Sequence, residues 1–276
     1  GKGVAMLVHG GAPTIEGVML GHEGTPSPVV NLVGSLFIDG GSTASISEVS
    51  AGVRLRVAGD SAPTISASEL TFPHLVIQDG SAPVIVGNEF NGYDTSGVVV
   101  TGGANATLRD NDLTWVPVEI VGEEGEGTSA TIEGNRLSAG QAVALSIRES
   151  ATATVSGNRF TGNMQGVRVR NAGAEVRDNE FVGNDTAVLL TDAEATLADN
   201  TIRGGDTGVS VTRSGGPLIS GNLIEDAVER GIYVAGGTNP TIEGNTVCGS
   251  AQNLVIDAEA DADVGENDIC PDGAAA

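Results

Sequence analysis

A short pattern recurs about every 22 residues, and this repeat constrains the fold of the chain more than any other feature. It consists of a small residue or proline, Thr, an aliphatic residue, any residue, Gly or Asp, Asn, any residue and an apolar residue. Clear copies are SATIEGNRL, TATVSGNRF and NPTIEGNTV. Self-similarity at a fixed period indicates a repeat architecture. Successive copies of the Asn are spaced 21 to 24 residues apart, at Asn88, Asn111, Asn135, Asn158, Asn179, Asn200, Asn222, Asn245 and Asn267.

Each repeat contains at least two short strands. The Thr-Ile-x segment before the Asn alternates in polarity, and a second apolar segment such as 166–169 follows about ten residues later. The apolar residue two positions after the Asn, such as Phe160, could begin a third strand. One coil of ~22 residues cannot bury its apolar side alone, whereas coils stacked ~4.8 Å apart bury it and pair their backbones in parallel ladders. We therefore predict an all-β, single-stranded, right-handed parallel β-helix solenoid of about 12 coils.

The recurring Asn has two physical explanations. Asn tolerates the left-handed backbone conformation of a tight turn. Its amide, if it points inward, can also bond to its copies above and below and form an Asn ladder. Degenerate N-terminal copies of the repeat place Val18, Val49 and Ser68 in the same slot.

The repeat extends over nearly the whole chain, which predicts one domain, 1–276. We divide it into degenerate N-terminal coils (1–80), regular coils (81–270) and a tail (271–276). The chain opens directly on a strand-like segment without an initiator Met. We interpret it as a fragment or processed form of a larger protein with flanking domains.

The Gly-Asn-x-apolar turn followed by a Gly-Val-x-Val strand resembles the repeat of the pectate-lyase-like superfamily. That superfamily includes the NosD-like proteins and the carbohydrate-binding and sugar-hydrolase group. The resemblance covers nearly the whole chain and implies a right-handed parallel β-helix. It leaves the function open, because this repeat occurs in lyases, hydrolases, epimerases, adhesins and sensors.

Two cysteines occupy the same slot in the last two coils. Cys248 and Cys270 each follow a repeat Asn by three residues. Stacked coils would place their Cα atoms ~4.8 Å apart, within the range that a disulfide spans. We predict a disulfide here, with two buried free thiols as the alternative. A disulfide indicates an extracytoplasmic location, either extracellular or on the cell surface.

Charge and composition exclude several partners. The formal net charge is −23, which disfavours nucleic acids and anionic membrane surfaces because both require a basic surface. No apolar stretch is long enough for a membrane span, so we predict no membrane insertion. The histidines, His9, His22 and His74, form no metal-binding pattern, and we predict neither a metal nor a cofactor.

The Gly-Val-x-Val strands carry the most informative outward side chains. Arg148, Arg168 and Arg170 fall on adjacent coils, with Glu119 one or two coils away and Tyr233 further along. Arginine binds carboxylate and sulfate groups bidentately, so the cluster is a candidate binding site. Neutralisation of neighbouring acids is the alternative interpretation. Alignment of the repeats gives one outward column: Phe37, Arg54, Val76, Val99, Glu119, Ser146, Arg168, Leu189, Ser210, Tyr233 and Val255.

Three functional hypotheses remain open at this point. The first is a non-enzymatic extracytoplasmic module, a binding, sensor or adhesion domain of a surface protein that recognises glycan or protein. The second is a carbohydrate-active enzyme on an acidic polysaccharide, in which the three arginines bind uronates. The third is a structural spacer. Glycosidases need two carboxylates close together, and the outward columns predict no such pair beside a base, so we identify no catalytic residue.

Overall fold

The computed structural model describes residues 4–16, 19–20, 34–51, 53–71, 73–92 and 97–273, and its strands form three parallel sheets of twelve strands each. The chain is therefore a right-handed parallel β-helix, as predicted. Val18 and the last three residues of the predicted tail lie outside the described residues.

Every coil contributes one strand to each sheet, so neighbours within a sheet come from successive coils. Sheet A holds the Gly-Val-x-Val strands: Val4–His9, Gly34–Asp39, Val53–Val57, His74–Ile77, Gly97–Val100, Val118–Val121, Val143–Arg148, Gln165–Arg170, Thr186–Thr191, Thr207–Thr212, Arg230–Val234 and Gln252–Ile256. Sheet B holds the Thr-Ile-x strands: Thr14–Glu16, Ser45–Ser47, Thr64–Ser66, Val84–Val86, Asn105–Arg109, Ser129–Glu133, Thr152–Ser156, Gly173–Arg177, Glu194–Ala198, Leu218–Ser220, Thr241–Glu243 and Asp263–Val264. Sheet C holds the strands that follow the Asn: Met19–Leu20, Ser50–Ala51, Glu69–Thr71, Glu89–Asn91, Asp112–Thr114, Arg136–Ser138, Arg159–Thr161, Glu180–Val182, Thr201–Arg203, Leu223–Glu225, Thr246–Cys248 and Asp268–Ile269.

The core is a stack of aliphatic side chains from all three sheets. Ile132, the inward residue of its sheet B strand, lies in register between Leu108 and Val155, and all three are fully buried. Sheet C contributes Phe160 and Phe181, whose rings stack with centroids 4.8 Å apart and planes 8° apart. Strands too short to be stable alone are thus held by burial that continues from coil to coil.

The Asn ladder runs through the coils from Asn88 to Asn267. In a typical rung, the backbone N–H and the side-chain Nδ2 of Asn135 both donate to Oδ1 of Asn158, at 2.8 and 3.0 Å. Nδ2 of Asn158 in turn donates to the carbonyl oxygens of Ile132 and Ser156. Ser68 extends the ladder by accepting the N–H of Val49 at its Oγ, which explains why Ser can hold this slot.

The left-handed residue of the turn is the one before the Asn, so the conformational explanation for the Asn itself was wrong. Gly87, Asp110, Gly134 and Asp178 have φ between +55° and +64°. Asp takes this conformation more readily than most non-glycine residues, which explains the Gly/Asp alternation in the repeat. The Asn is retained for its side-chain hydrogen bonds.

A second, shorter ladder was not predicted. Asn163 and Asn184 lie five residues after Asn158 and Asn179 and are fully buried at the turn between sheets C and A. Nδ2 of Asn163 donates to Oδ1 of Asn184 at 2.7 Å, and Nδ2 of Asn184 donates to the carbonyl of Phe160. The Gly-Asn dipeptides at 162–163 and 183–184 were the sequence signal for it.

The glycine of the Gly-Val-x-Val strands is required by close packing. Gly231 and Ile232 are both buried, so the strand directs two consecutive residues inward. A Cβ on Gly231 would lie 2.3 Å from Cγ1 of Val247 and 2.5 Å from the carbonyl oxygen of Asn253. No side chain fits there without movement of the neighbouring coil.

The C-terminal coil is held by the predicted disulfide and by hydrogen bonds of the tail. Cys248 and Cys270 are bonded, with Cα atoms 4.9 Å apart. The N–H of Asn253 donates to Asp272, and the N–H of Gly273 donates to the carbonyl of Ser250. These contacts close the last coil at the position where fraying of the solenoid would begin.

Replacing Asn158 with Ala tests the ladder. The substitution leaves the N–H of Asn135 and the carbonyl of Ile132 buried without their partner, so we expect the free energy of unfolding to fall by about 2–4 kcal/mol. Asn105→Ala is the matched control, because Asn105 is exposed on sheet B, and its loss should change stability by less than about 0.5 kcal/mol. Urea unfolding followed by circular dichroism measures both, and equal effects would contradict a structural role of the ladder.

The disulfide closes a segment with a sequence separation of 22 residues, and its removal should lower stability by about 3 kcal/mol. We expect dithiothreitol to lower the urea midpoint of the wild-type protein. The double variant Cys248→Ala, Cys270→Ala should already have the lower midpoint and should not respond to the reductant. Mass spectrometry without reduction provides the direct measurement, and two free thiols in it would refute the bond.

Candidate functional site

The outer face of sheet A carries rows of side chains in register from coil to coil. One row contains the predicted residues Glu119 and Arg168: Glu119 lies beside Ser146, Ser146 beside Arg168, and Arg168 beside Leu189. The row continues through Ser210 to Tyr233. Arg148 and Arg170 lie in register in the next row. Adjacent members are therefore ~4.8 Å apart along the solenoid axis.

The predicted column was wrong at its N-terminal end. Phe37 and Val76 are in register with Arg56, whereas Arg54 pairs with Ser35 and His74. A slip of two residues leaves the inward and outward alternation of a strand unchanged, so the hydrophobic pattern could not detect it.

Two of the three clustered arginines are neutralised by neighbouring carboxylates. Nη2 of Arg148 lies 3.1 Å from Oε2 of Glu119, and Arg170 pairs with Glu149 in the turn that follows the preceding sheet A strand. For these two side chains the structure favours the interpretation as local ion pairs. Such exposed pairs contribute little stability, on the order of 0–1 kcal/mol.

Arg168 differs from its two neighbours. It forms no ion pair with any of the residues that the structure describes, and its side chain is half-buried. Its neighbours in the row are Ser146 on one side and the apolar Leu189 on the other.

Two unsatisfied polar atoms lie on the strand of Arg168 and on the strand before it. In the described part of the chain, three buried side-chain oxygens lack a hydrogen-bond partner, and two of them belong to Ser146 and Gln165. Ser146 is 3% exposed and is adjacent to Arg168 in register. Gln165 lies on the same strand as Arg168 and contributes its buried Oε1. An unpaired polar atom in such a position calls for an explanation.

Tyr233 belongs to a separate cluster three coils further along sheet A, ~14 Å from Arg168. Its hydroxyl donates to Oδ2 of Asp257 at 2.9 Å, and the guanidinium carbon of Arg230 lies 4.7 Å from the centre of its ring. The hydrogen bond to Asp257 raises the pKa of Tyr233, burial and the Asp257 charge act in the same direction, and Arg230 opposes them. The phenol therefore remains protonated and polarised by its two neighbours.

The structure thus joins Glu119 to the arginine cluster and separates Tyr233 from it. Sequence reasoning placed Ser146 beside Arg168 without counting it as a site residue, and it missed Gln165 as a polar residue of the same strand. It also missed Arg230 and Asp257 as neighbours of Tyr233. The register was readable from the repeat alignment. The burial of Ser146 was not, because it depends on how the longer side chains around it are arranged.

The described residues form a shallow depression outside sheet A, and they form no cluster of metal ligands. A shallow depression of about 370 Å³ lies on sheet B over Asn105, Thr131 and Thr154. Within the described ranges, no three His, Cys, Asp or Glu side chains come together in a way that could hold a metal ion. The same ranges contain no helix that is long and apolar enough to cross a membrane.

Residues 75–267 match the model of a protein family described as "Periplasmic copper-binding protein (NosD)", which covers more than half of the chain. Among solved structures, the periplasmic alginate epimerase AlgG is similar with a TM-score of 0.63 and 10% identity, covering 86% of this chain and 77% of that chain. A single-residue mutant of the same epimerase gives a TM-score of 0.66 and 12% identity, covering 97% and 85%. No curated protein sequence matches significantly. At this level of identity, the structural similarity shows the fold alone.

Proposed function

Because the chain belongs to the NosD family, an extracytoplasmic family of parallel β-helices, we propose that it is a module that binds a glycan along the outer face of sheet A. The proposed ligand lies along the solenoid axis and crosses several coils. The protein supplies recognition, and catalysis is not part of the proposal.

The observation that carries this proposal is a continuous polar row beside the row of Arg168. Gln165, Thr186, Thr207 and Arg230 are in register on four successive coils, and all four are half-buried. They offer hydroxyl, amide and guanidinium groups ~4.8 Å apart, which can pair with the hydroxyl groups of a linear saccharide. The Tyr233 ring at the end of the neighbouring row adds an aromatic surface.

The charge of the chain limits which glycans fit. A net charge of −23 repels a long polyanion over most of its approach. A glycan with few charged groups avoids this repulsion and can still pair with the charged guanidinium of Arg168. We therefore favour a mainly neutral glycan that carries isolated acidic groups.

The same four strands favour binding over catalysis. The segments 165–170, 186–191, 207–212 and 230–234 contain no Asp, Glu, His or Lys. A general acid or base is most often one of these side chains. The similarity to alginate epimerases therefore supports a shared scaffold for this chain, and we do not extend their activity to it.

Copper, which the family description mentions, does not fit the residues of this chain. Copper is bound by His, Cys and Met side chains. The matched segment 75–267 contains no His, one Met at Met164, and Cys248, which is bonded to Cys270. His9 and His74 lie on sheet A three coils apart, ~14 Å, which is too far for one ion.

We expect purified protein to bind no copper ion in a stoichiometric complex. Competition with a coloured Cu(I) chelator, and titration with Cu(II) followed by isothermal calorimetry, provide the measurement. An appended polyhistidine tag must be removed first, since it binds copper by itself. Retention of one copper per chain against the chelator would contradict this expectation.

The glycan-binding face is tested by placing a bulky side chain in its centre. Ser210→Trp fills the space between Leu189 and Tyr233, so we expect loss of binding on a glycan array, by at least tenfold in affinity for the best ligand. The matched control is Ser220→Trp in the next strand of the same coil, which replaces a half-buried Ser on sheet B.

The two variants are compared at equal folded fractions, measured by circular dichroism. Binding by wild type and Ser220→Trp with loss in Ser210→Trp supports the sheet A face. Equal binding by all three proteins, or no binding of any glycan by the wild type, contradicts the proposal.

A further inference from the structure

We infer that Arg168, Ser146 and Gln165 form a subsite for one carboxylate-bearing sugar, a hexuronate unit within the bound glycan. This inference rests on the proposed function and deepens it. It assigns one chemical group of the ligand to one position on the sheet A face, about three coils from Tyr233.

Arg168 is the one arginine of the cluster without an ion pair to a described residue. Arg148 and Arg170, which are in register with each other in the next outward row, are paired with Glu119 and Glu149. Arg168 forms no ion pair with a described residue although it is half-buried in a protein of net charge −23. A guanidinium in this position presents a fork of N–H donors that matches a planar carboxylate in two parallel hydrogen bonds.

Ser146 provides an observation that is independent of charge. Its hydroxyl is on the outward row, directly beside Arg168, yet it is buried and has no hydrogen-bond partner. A buried polar group without a partner is unfavourable, and native structures rarely retain one. Ser146 can donate to a carboxylate oxygen held by Arg168.

The acceptor Oε1 of Gln165 is also buried and has no hydrogen-bond partner among the described residues. Gln165 precedes Arg168 by three residues on the same strand, ~10 Å along it. An arginine and a serine hydroxyl alone would suit any oxyanion. An acceptor on the same strand requires a ligand that also carries a donor, and a sugar hydroxyl supplies it. This combination of donors and an acceptor favours an anionic sugar over a free oxyanion such as sulfate, which has no donor.

The experiment uses tetrasaccharides that are neutral except for one uronate unit (galacturonate, glucuronate, mannuronate or guluronate), each paired with its methyl ester. The ester keeps the shape of the sugar and removes the negative charge. We expect at least one acid to bind the intact chain about tenfold or more tightly than its ester in isothermal calorimetry. Equal affinity for acid and ester in every pair, or stronger binding of a sulfated galactose tetramer, would overturn the carboxylate assignment.

Variants locate the subsite. Arg168→Gln should abolish the preference for the acid, and Ser146→Ala should weaken acid binding several-fold while leaving ester binding unchanged. Arg54→Gln is the matched control: it removes the same charge from the outer face of sheet A, five coils (~24 Å) away, at another arginine that forms no ion pair with a described residue. A loss in Arg54→Gln equal to that in Arg168→Gln would show a general charge effect and overturn the subsite.

The outcomes separate this inference from the proposed function. Glycan binding that is sensitive to Ser210→Trp and insensitive to Arg168→Gln rejects the subsite alone. Absence of any glycan binding by the wild-type protein rejects both. If Ser146→Ala lowers stability but binds the acid as tightly as wild type, the hydroxyl stabilises the fold and does not contact the ligand. That result rejects the subsite of three residues.

Discussion

The hydrogen bonds between successive coils are the constraint on which the rest of the structure depends. Each Asn oxygen accepts two N–H donors from the coil before it, so a coil out of phase loses its ladder and its sheet pairing together. Coil length can therefore vary only in the turns. The acidic insertion 122–128 shows this: it lies between a sheet A strand and a sheet B strand, and the rung from Asn111 to Asn135 on either side of it is undisturbed, at 3.0 Å.

The same constraint decides where chemistry can occur on this scaffold. Inward positions are committed to the core and the ladders, so recognition depends on outward side chains arranged in rows. Sheet A offers a broader outer surface than sheet C. Its central strands have six residues, as in Gln165–Arg170, whereas sheet C strands such as Arg159–Thr161 have three. A ligand that follows the solenoid axis meets equivalent positions at each coil, which suits an extended polymer more than a compact molecule.

Features that follow from the period of the repeat were predictable from sequence, and features that depend on side-chain packing were not. The Asn ladder and the bond between Cys248 and Cys270 follow from equal offsets in successive copies. The register of Arg54 was wrong because a two-residue slip preserves the polarity pattern. The burial of the Ser146 hydroxyl could not be predicted from the sequence. The repeat places Ser146 in an outward column, and it is buried only because of the side chains around it.

Membership in the family therefore fixes the scaffold of this chain and leaves its ligand to the outward residues. In the matched segment 75–267, the outward residues include no His and no free Cys that could bind copper. They do include Arg168, which has no carboxylate partner among the described residues. An unpaired buried hydroxyl is unfavourable by about 1–3 kcal/mol, and Ala at position 146 would remove that penalty without disturbing the strand. Ser146 therefore adds nothing to the stability of the free chain that Ala would not, and in the proposed subsite its hydroxyl gains a partner from a ligand group beside Arg168.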